Sequence, residues 1–247
     1  MNEMLMRGYV TPEDFTGTDA EKLQQALNVA AESDIRMVVL SGNYVSDTVL
    51  TVPANMYVVL EGTLQADVQC EKNSNFSFEQ DRIYLKGGKI QGNLDFYHAQ
   101  HVILEDMEID GDVKLEFARE LRLENLNISG QLTFGRGCAN VIAQHLRLGS
   151  ALFTAVPNAL DIPGREPNVR NIAFRDSQVA GTVQLTAAED FGLLNIQVDH
   201  VKAQSVQVGS PDVQLPKERC TNFTLADLDT AKGVVLHNPC RNAHIAP

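Results

Sequence analysis

The sequence predicts an all-β protein: a right-handed parallel β-helix with three short strands per coil and an N-terminal capping α-helix. Three observations predict it. A motif recurs along the chain, its strands keep an almost constant spacing, and a helix-cap signature precedes the first coil. The motif is plain when Val102-Ile-Leu-Glu-Asp-Met-Glu-Ile-Asp-Gly111 is set above Leu121-Arg-Leu-Glu-Asn-Leu-Asn-Ile-Ser-Gly130. Each reads apolar-x-apolar, two polar residues, apolar-x-apolar, then a tight turn. An apolar-x-apolar piece is a short strand with one buried face. A third strand follows the turn, at Val113-x-Leu115 and Leu132-x-Phe134.

The elements follow in order. Thr18-Asp-Ala-Glu21 is a capping-box pattern, and Leu23, Ala26, Leu27 and Ala30 then recur at helical spacing. This places a helix over 18–33, covering the open end of coils that occupy 36–247 of a single domain. First strands start at Ile83, Val102, Leu121, Val141, Ile172, Leu194 and Phe223, and third strands at Leu94, Val113, Leu132, Ala151, Val183, Val206 and Val234. The step between them is 11 residues, with one 10 and one 12. A sandwich would not hold that spacing, and its hairpin dipeptide Asn-Gly is absent. The corner between first and second strands carries Gly87, Asp106, Asn125, His145, Asp176, Val198 and Asp227. Short polar side chains suit such a bend because they bond nearby backbone and tolerate left-handed conformations.

Composition narrows function. The 247 residues include 20 basic and 32 acidic ones, a formal charge of −12, with 44% hydrophobic and 21% charged. That is a folded globular composition. The acidic balance argues against nucleic acid, which needs clustered Lys and Arg, and against an anionic membrane surface. No apolar run approaches the roughly 18 residues of a spanning helix. MNEMLMRGYV has no signal-peptide apolar core. The expectation is therefore a cytoplasmic protein or a trimmed secreted form.

A family likeness lies between Asp14 and Ala66: DFTGTDAEKLQQALNVAAESDIRMVVLSGNYVSDTVLTVPANMYVVLEGTLQA. It resembles the N-terminal region of the pectate-lyase-like superfamily, most closely the polygalacturonase-type glycoside hydrolases. There a "TDALQAAL" helix precedes "VVLPAGTY" and a rung ending "L-E-G-T-L". Val38, Val39, Leu40, Gly42 and Tyr44 match the second element, and Val58, Leu60, Glu61, Gly62, Thr63 and Leu64 the last. The likeness covers about a fifth of the chain by motif and the rest by periodicity. It implies the β-helix fold and a polysaccharide or oligosaccharide partner. The family's Asn-Thr-Asp, Asp-Asp, Gly-His-Gly and Arg-Ile-Lys motifs do not occur here, so it names no reaction.

Loops that lengthen on one side of a repeat stack usually build a binding face. The long returns from third to first strand are Thr154–Arg170 and Gly209–Cys220, around a shorter return, Thr186–Gly192. The expectation is two walls and a floor. Asp161, Glu189, Asp190 and Asp212 are the candidate catalytic carboxylates, since paired carboxylates do the acid–base work of glycoside hydrolysis. Gln184, Gln207, Arg165, Arg170, Lys217 and Arg219 are the candidate substrate-binding residues, with Thr133 also on the floor. The bland reading of these charges is a solvated loop surface. Trp is absent and all five Tyr lie at or before residue 97, which leaves few rings for sugar stacking near these loops.

No metal and no cofactor is expected. Glu105, Glu108, Asp110 and Asp112 alternate in direction and need not converge on calcium, which wants several converging oxygens. His98 and His101 fall on a short return with no third ligand in sequence reach. A column of outward first-strand positions, Val59, Tyr84, Ile103, Arg122, Ile142 and Ala173, is largely apolar and implies a cover, either the N-terminal arm or another subunit in a homo-oligomer. Cys220 and Cys240 are 20 residues apart and fall on adjacent rungs, while Cys70 and Cys138 occupy unrelated coil positions and stay unpaired. Two functions fit: a carbohydrate-interacting protein with a diverged hydrolase or lyase site, or a non-catalytic adhesive or structural β-helix of a cell surface or virion.

Overall fold

The structure, a computed structural model, describes residues 6–70, 82–155, 168–188, 191–211 and 219–246. Among these the strands form one 24-stranded sheet in which every ladder is parallel. Each coil is a triangle. One comprises Val102–Glu105, Glu108–Ile109 and Val113–Glu116, and its strands pair with Ile103's partner Arg122, with Ile109's partner Ile128 and with Val113's partner Leu132 on the next coil. This is the right-handed parallel β-helix expected from the repeat.

The helix runs Asp19–Glu32 between caps Thr18 and Ser33. Glu21 N–H donates to Thr18 Oγ1 at 3.3 Å, and Thr18 N–H to Glu21 Oε2 at 2.9 Å, which completes the capping box. Its buried face is Leu23, Ala26, Leu27 and Ala30. Polar groups of this segment also finish the backbone of the first coil, whose edge would otherwise expose unpaired donors and acceptors. Val10 adds a parallel bridge to Val38. Asp19 accepts the Val45 N–H at 3.1 Å. The Gln24 amide exchanges two 3.0 Å bonds with the backbone of Thr51. Each strand of the first coil is thus capped by a different group.

The core is a set of side-chain columns along the axis. Phe134 and Phe153 stack on adjacent rungs with centroids 4.6 Å apart, and Phe174 lies edge-on 6.0 Å from Phe153. All three rings have no solvent exposure. On the coil of Phe153 two further inward positions are the small Ala143 and Ala151, beside the larger Val141, Leu146 and Leu148. Large and small residues alternate so that the interior fills at normal packing density.

Two corners are built from left-handed residues. Asp106, Asn125, His145, Asp176, His200 and Asp227 all have φ between 49° and 57°. Val198 was expected in this set, and His200 takes its place. The cause is a two-residue slip. The first strand of that coil registers Ile196, not Leu194, against Ile172. Leu194-x-Ile196 and Ile196-x-Val198 both read as strand starts, and the second corner decides between them. There Asn140, Asn171, Asn195, Asn222 and Asn242 are all left-handed, with φ between 53° and 58°. Their amides link rung to rung: Asn171 to Asn140 at 2.8 Å, Asn195 to Asn171 at 2.9 Å and Asn242 to Asn222 at 3.1 Å. Asn tolerates this conformation better than most residues, and an Asn before an apolar residue marks every one of these strand starts.

In the outward first-strand column the place next to Tyr84 belongs to Tyr57, not Val59, because Tyr57 registers against Tyr84 and Val59 against Lys86. The Tyr57 and Tyr84 rings meet at 4.5 Å. The Tyr84 hydroxyl donates to Glu105, and the buried Tyr44 hydroxyl to Glu13. Burial first, then the neighbouring carboxylate, pushes each phenol from the usual 10 up to about 12. The folded state therefore holds these two protons after the unfolded chain has lost them. Their stabilisation is complete below pH 10 and is lost as pH rises toward 12. A tyrosinate absorbance titration should show two late phenols, and Tyr84→Phe should remove one of them.

All four cysteines are free thiols. Cys220 and Cys240 do sit on adjacent rungs, since Thr221 registers against Arg241. Contact with Cys240, then burial, raises the Cys220 thiol, and the same contact lowers that of Cys240. Cys138 is not in an unrelated position. Ala139 registers against Arg170, which puts Cys138 in the same inward column, separated from Cys220 by Val169 and Leu193. Two intervening rungs put it about 14 Å from Cys220, beyond disulfide reach.

Candidate functional site

Asp161, Arg165, Glu189, Asp190, Asp212 and Lys217 lie outside the described residues. Of the expected floor, Gln184 and Gln207 stack on adjacent rungs, and Thr133 shares their column with Leu152 between. Gln184 donates to the Gly209 carbonyl at 2.8 Å, which ties the floor to the start of the second long return. Arg170 opens a first strand beside Ala139 and Leu194, and Arg219 precedes Cys220 two rungs further on.

The described surface is concave elsewhere, along the second strands. Their outward positions form a ladder: Lys89, Glu108, Asn127, Arg147, Gln178, Lys202 and Asp229. Both ends are ion-paired, Lys89 with Glu108 at 2.6 Å and Lys202 with Asp229 at 2.9 Å. Arg147, in the middle, is flanked by amides on both sides. No carboxylate among the described residues pairs with it. Two adjoining hollows meet at this residue. One of about 590 Å³ runs over Asn127, Ser129, Arg147, Gly149, Gln178, Ala180, Lys202 and Gln204. The other, about 410 Å³, adds Asn125, His145 and Asp176. From Asn127 to Asp229 the ladder spans five rungs, about 19 Å at the interstrand spacing.

Small residues make the groove. Beyond the ladder the next outward positions are Ser129, Gly149 and Ala180. Gly149 can carry no Cβ, because one would stand 2.3 Å from the Ser129 carbonyl oxygen. The stacked backbone therefore forms the groove floor, and Arg147 and Gln178 form its side. The lining offers amides, a hydroxyl, the Arg147 guanidinium, the Lys202 ammonium, the His145 imidazole and one carboxylate, Asp176. An amide donates and accepts at once, as a sugar hydroxyl does. Sequence reasoning missed this site because no loop marks it. Its signal was the polar residue two before a small corner residue, Asn127 before Ser129, Arg147 before Gly149 and Gln178 before Ala180.

A third concavity, about 780 Å³, lies over the first strands near the N-terminal end, with Tyr57, Tyr84 and Ile103 as floor and Arg36, Arg82 and His101 as rim. It offers ring faces where the second-strand groove offers hydrogen bonds. The acidic run makes no joint site. Glu105 binds Tyr84 and Lys86, Glu108 pairs with Lys89, Asp110 accepts from Ser129, and Asp112 accepts the Gln131 N–H. His98 stacks on Phe117 at 5.0 Å. Among the described residues no helix is long and apolar enough to cross a membrane.

No family model and no curated protein matches the sequence. Solved structures do match. One of the Streptococcus pneumoniae surface protein and adhesin PfbA superposes with a TM-score of 0.52 at 11% identity, covering 96% of this chain and 99% of that one. A crystal structure of the same adhesin gives 0.48 at 9% identity, covering 96% and 91%. The likeness is one of fold. Membership of the pectate-lyase-like superfamily is not carried by it, and the parallel β-helix is.

Proposed function

We propose that this chain is a non-catalytic, adhesive β-helix that binds a surface glycan in the groove over its second strands. The observation that carries this reading is the groove's lining: the amides of Asn125, Asn127, Gln178 and Gln204 around the unpaired Arg147, with a single carboxylate, Asp176. Glycoside hydrolysis uses two carboxylates at defined separation, whereas recognition of hydroxyls needs paired donors and acceptors. Support also comes from the whole-length likeness to a structure described as a surface adhesin. The unpaired Arg147 favours a glycan bearing a carboxylate or sulfate, whose planar or forked oxygens suit a guanidinium.

A glycan array followed by titration of the best binder tests this. The Arg147→Ala and Gln178→Ala double variant should lose at least about tenfold in affinity, equivalent to about 1.4 kcal/mol. Tyr57→Ala should leave it unchanged. Loss with Tyr57→Ala alone would move the site to the aromatic concavity. Release of new reducing ends from a bound polysaccharide would replace adhesion with hydrolysis.

A further inference from the structure

We propose that Asp199, His200 and Asp227 form a binding site for a divalent transition-metal ion of the zinc class. It is independent of the groove reading. His200 Nδ1 lies 3.0 Å from Asp199 Oδ1, and Nε2 lies 3.6 Å from Asp227 Oδ2. One donor atom from each residue lies within 4.8 Å of the other two. The fold makes this cluster from residues distant in sequence. Asp199 ends the outward face of a first strand. His200 and Asp227 are left-handed corner residues on successive rungs, with φ 49° each, so their side chains leave the backbone in the same direction.

Elsewhere this corner gives a carboxylate an amide, a lysine or one imidazole, as Asp106 has Asn125 at 3.0 Å and Lys86 at 3.4 Å and Glu124 has His145 at 2.8 Å. Here an imidazole stands between two carboxylates. Its two ring nitrogens each face a different carboxylate. Asp199 Oδ1 is fully buried and receives no hydrogen bond of sound geometry, although Nδ1 is close. No Lys or Arg among the described residues pairs with Asp199 or Asp227. A cation held by all three groups removes both mismatches.

The donor set selects the ion. One imidazole and two carboxylates suit zinc and its neighbours, whereas calcium and magnesium take oxygen alone. Two donors each about 2.1 Å from one ion sit about 3.0–3.4 Å apart at ordinary coordination angles, which matches the Asp199–His200 contact. The His200 and Asp227 side chains are each 60% exposed, so water or a ligand oxygen can complete the shell.

The test is calorimetric titration of zinc chloride into the chelator-treated full chain. One ion per chain is expected to bind. His200→Gln and Asp227→Asn should each weaken it by more than about tenfold, the least that even outer-shell partners cost. Cys220→Ser, which removes one of the two neighbouring thiols, should leave the affinity unchanged. Cobalt substituted for zinc should show no thiolate charge-transfer band. Absence of saturable binding overturns the proposal. So does an affinity that survives both ligand variants, or one lost with Cys220→Ser.

Discussion

Phe153→Ala is expected to remove about 3–5 kcal/mol of folding stability, the upper range for core truncation. The reason lies in its coil. The ring is fully buried, stacked on Phe134 at 4.6 Å and met edge-on by Phe174 at 6.0 Å. Two of its inward neighbours in the coil, Ala143 and Ala151, are already small, so they cannot fill the space. The rungs above and below are held by backbone ladders and cannot collapse. The cavity therefore stays, and its cost adds to the lost transfer energy. A repeat stack communicates only between neighbours, so the damage also weakens the two adjoining rungs. Urea unfolding should show the loss, and thermal unfolding should fall by about 2–4 °C for each kcal/mol. Ile142→Ala, on the outer face of the same coil and 46% exposed, should change stability by less than about 0.5 kcal/mol. A loss under about 1 kcal/mol for Phe153→Ala would mean that the axis is not filled at this rung.

Gly111→Ala should destabilise by about 1–3 kcal/mol, although adding a methyl to an exposed glycine ordinarily stabilises by about 0.4–1 kcal/mol. The sign reverses because a Cβ here would stand 2.3 Å from the Gly92 carbonyl oxygen. Gly130 meets the Gly111 oxygen at 2.6 Å in the same way, Gly149 the Ser129 oxygen at 2.3 Å and Gly181 the Gly149 oxygen at 2.9 Å. These are backbone atoms fixed by the rung spacing, so the methyl cannot be accommodated by a rotamer change. The penalty is crowding between rungs. Stability equal to or above wild type would show that the corner between second and third strands is looser than the ladder implies.

Glu105 and Asp106 extend the argument to acid. A hydrogen bond from Tyr84 and then Lys86 holds the Glu105 carboxyl below its ordinary value, and the Asn125 amide and then Lys86 do the same for Asp106. Depressed carboxyls stabilise the fold above their unfolded pKa, and that contribution goes as pH falls through the folded one. Asp106→Asn should flatten the acid limb of the stability profile without altering glycan binding.

Much of the fold was legible because its causes are local and repeated. Inward positions alternate with outward ones, the step between strands recurs, and the capping box names its own helix. The same periodicity failed at Leu194, where two apolar pairs overlap. The register there is set by Asn195 entering the left-handed ladder with Asn171, a preference carried by one side chain and not by hydrophobic pattern. Val59 and Tyr57 were exchanged for a similar reason: both alternate correctly, and only pairing with the next coil shows which shares a column with Tyr84.

By itself the sequence determined which residues face the axis, where the helix caps the stack and that a coil takes about 20 residues. Those properties depend on covalent spacing and on side-chain polarity, both written along the chain. Only the tertiary structure decided what meets across rungs. His200 and Asp227 are 27 positions apart and become neighbours because one coil returns the chain to the same corner. Arg147 is left without a counter-charge only once Asn127 and Gln178 are seen on either side of it. The groove beside it exists because Gly149 and Ala180 stack where larger residues would have filled the surface. In a β-helix, chemistry depends on vertical columns, and a column is a sum of coil lengths that no single segment reveals.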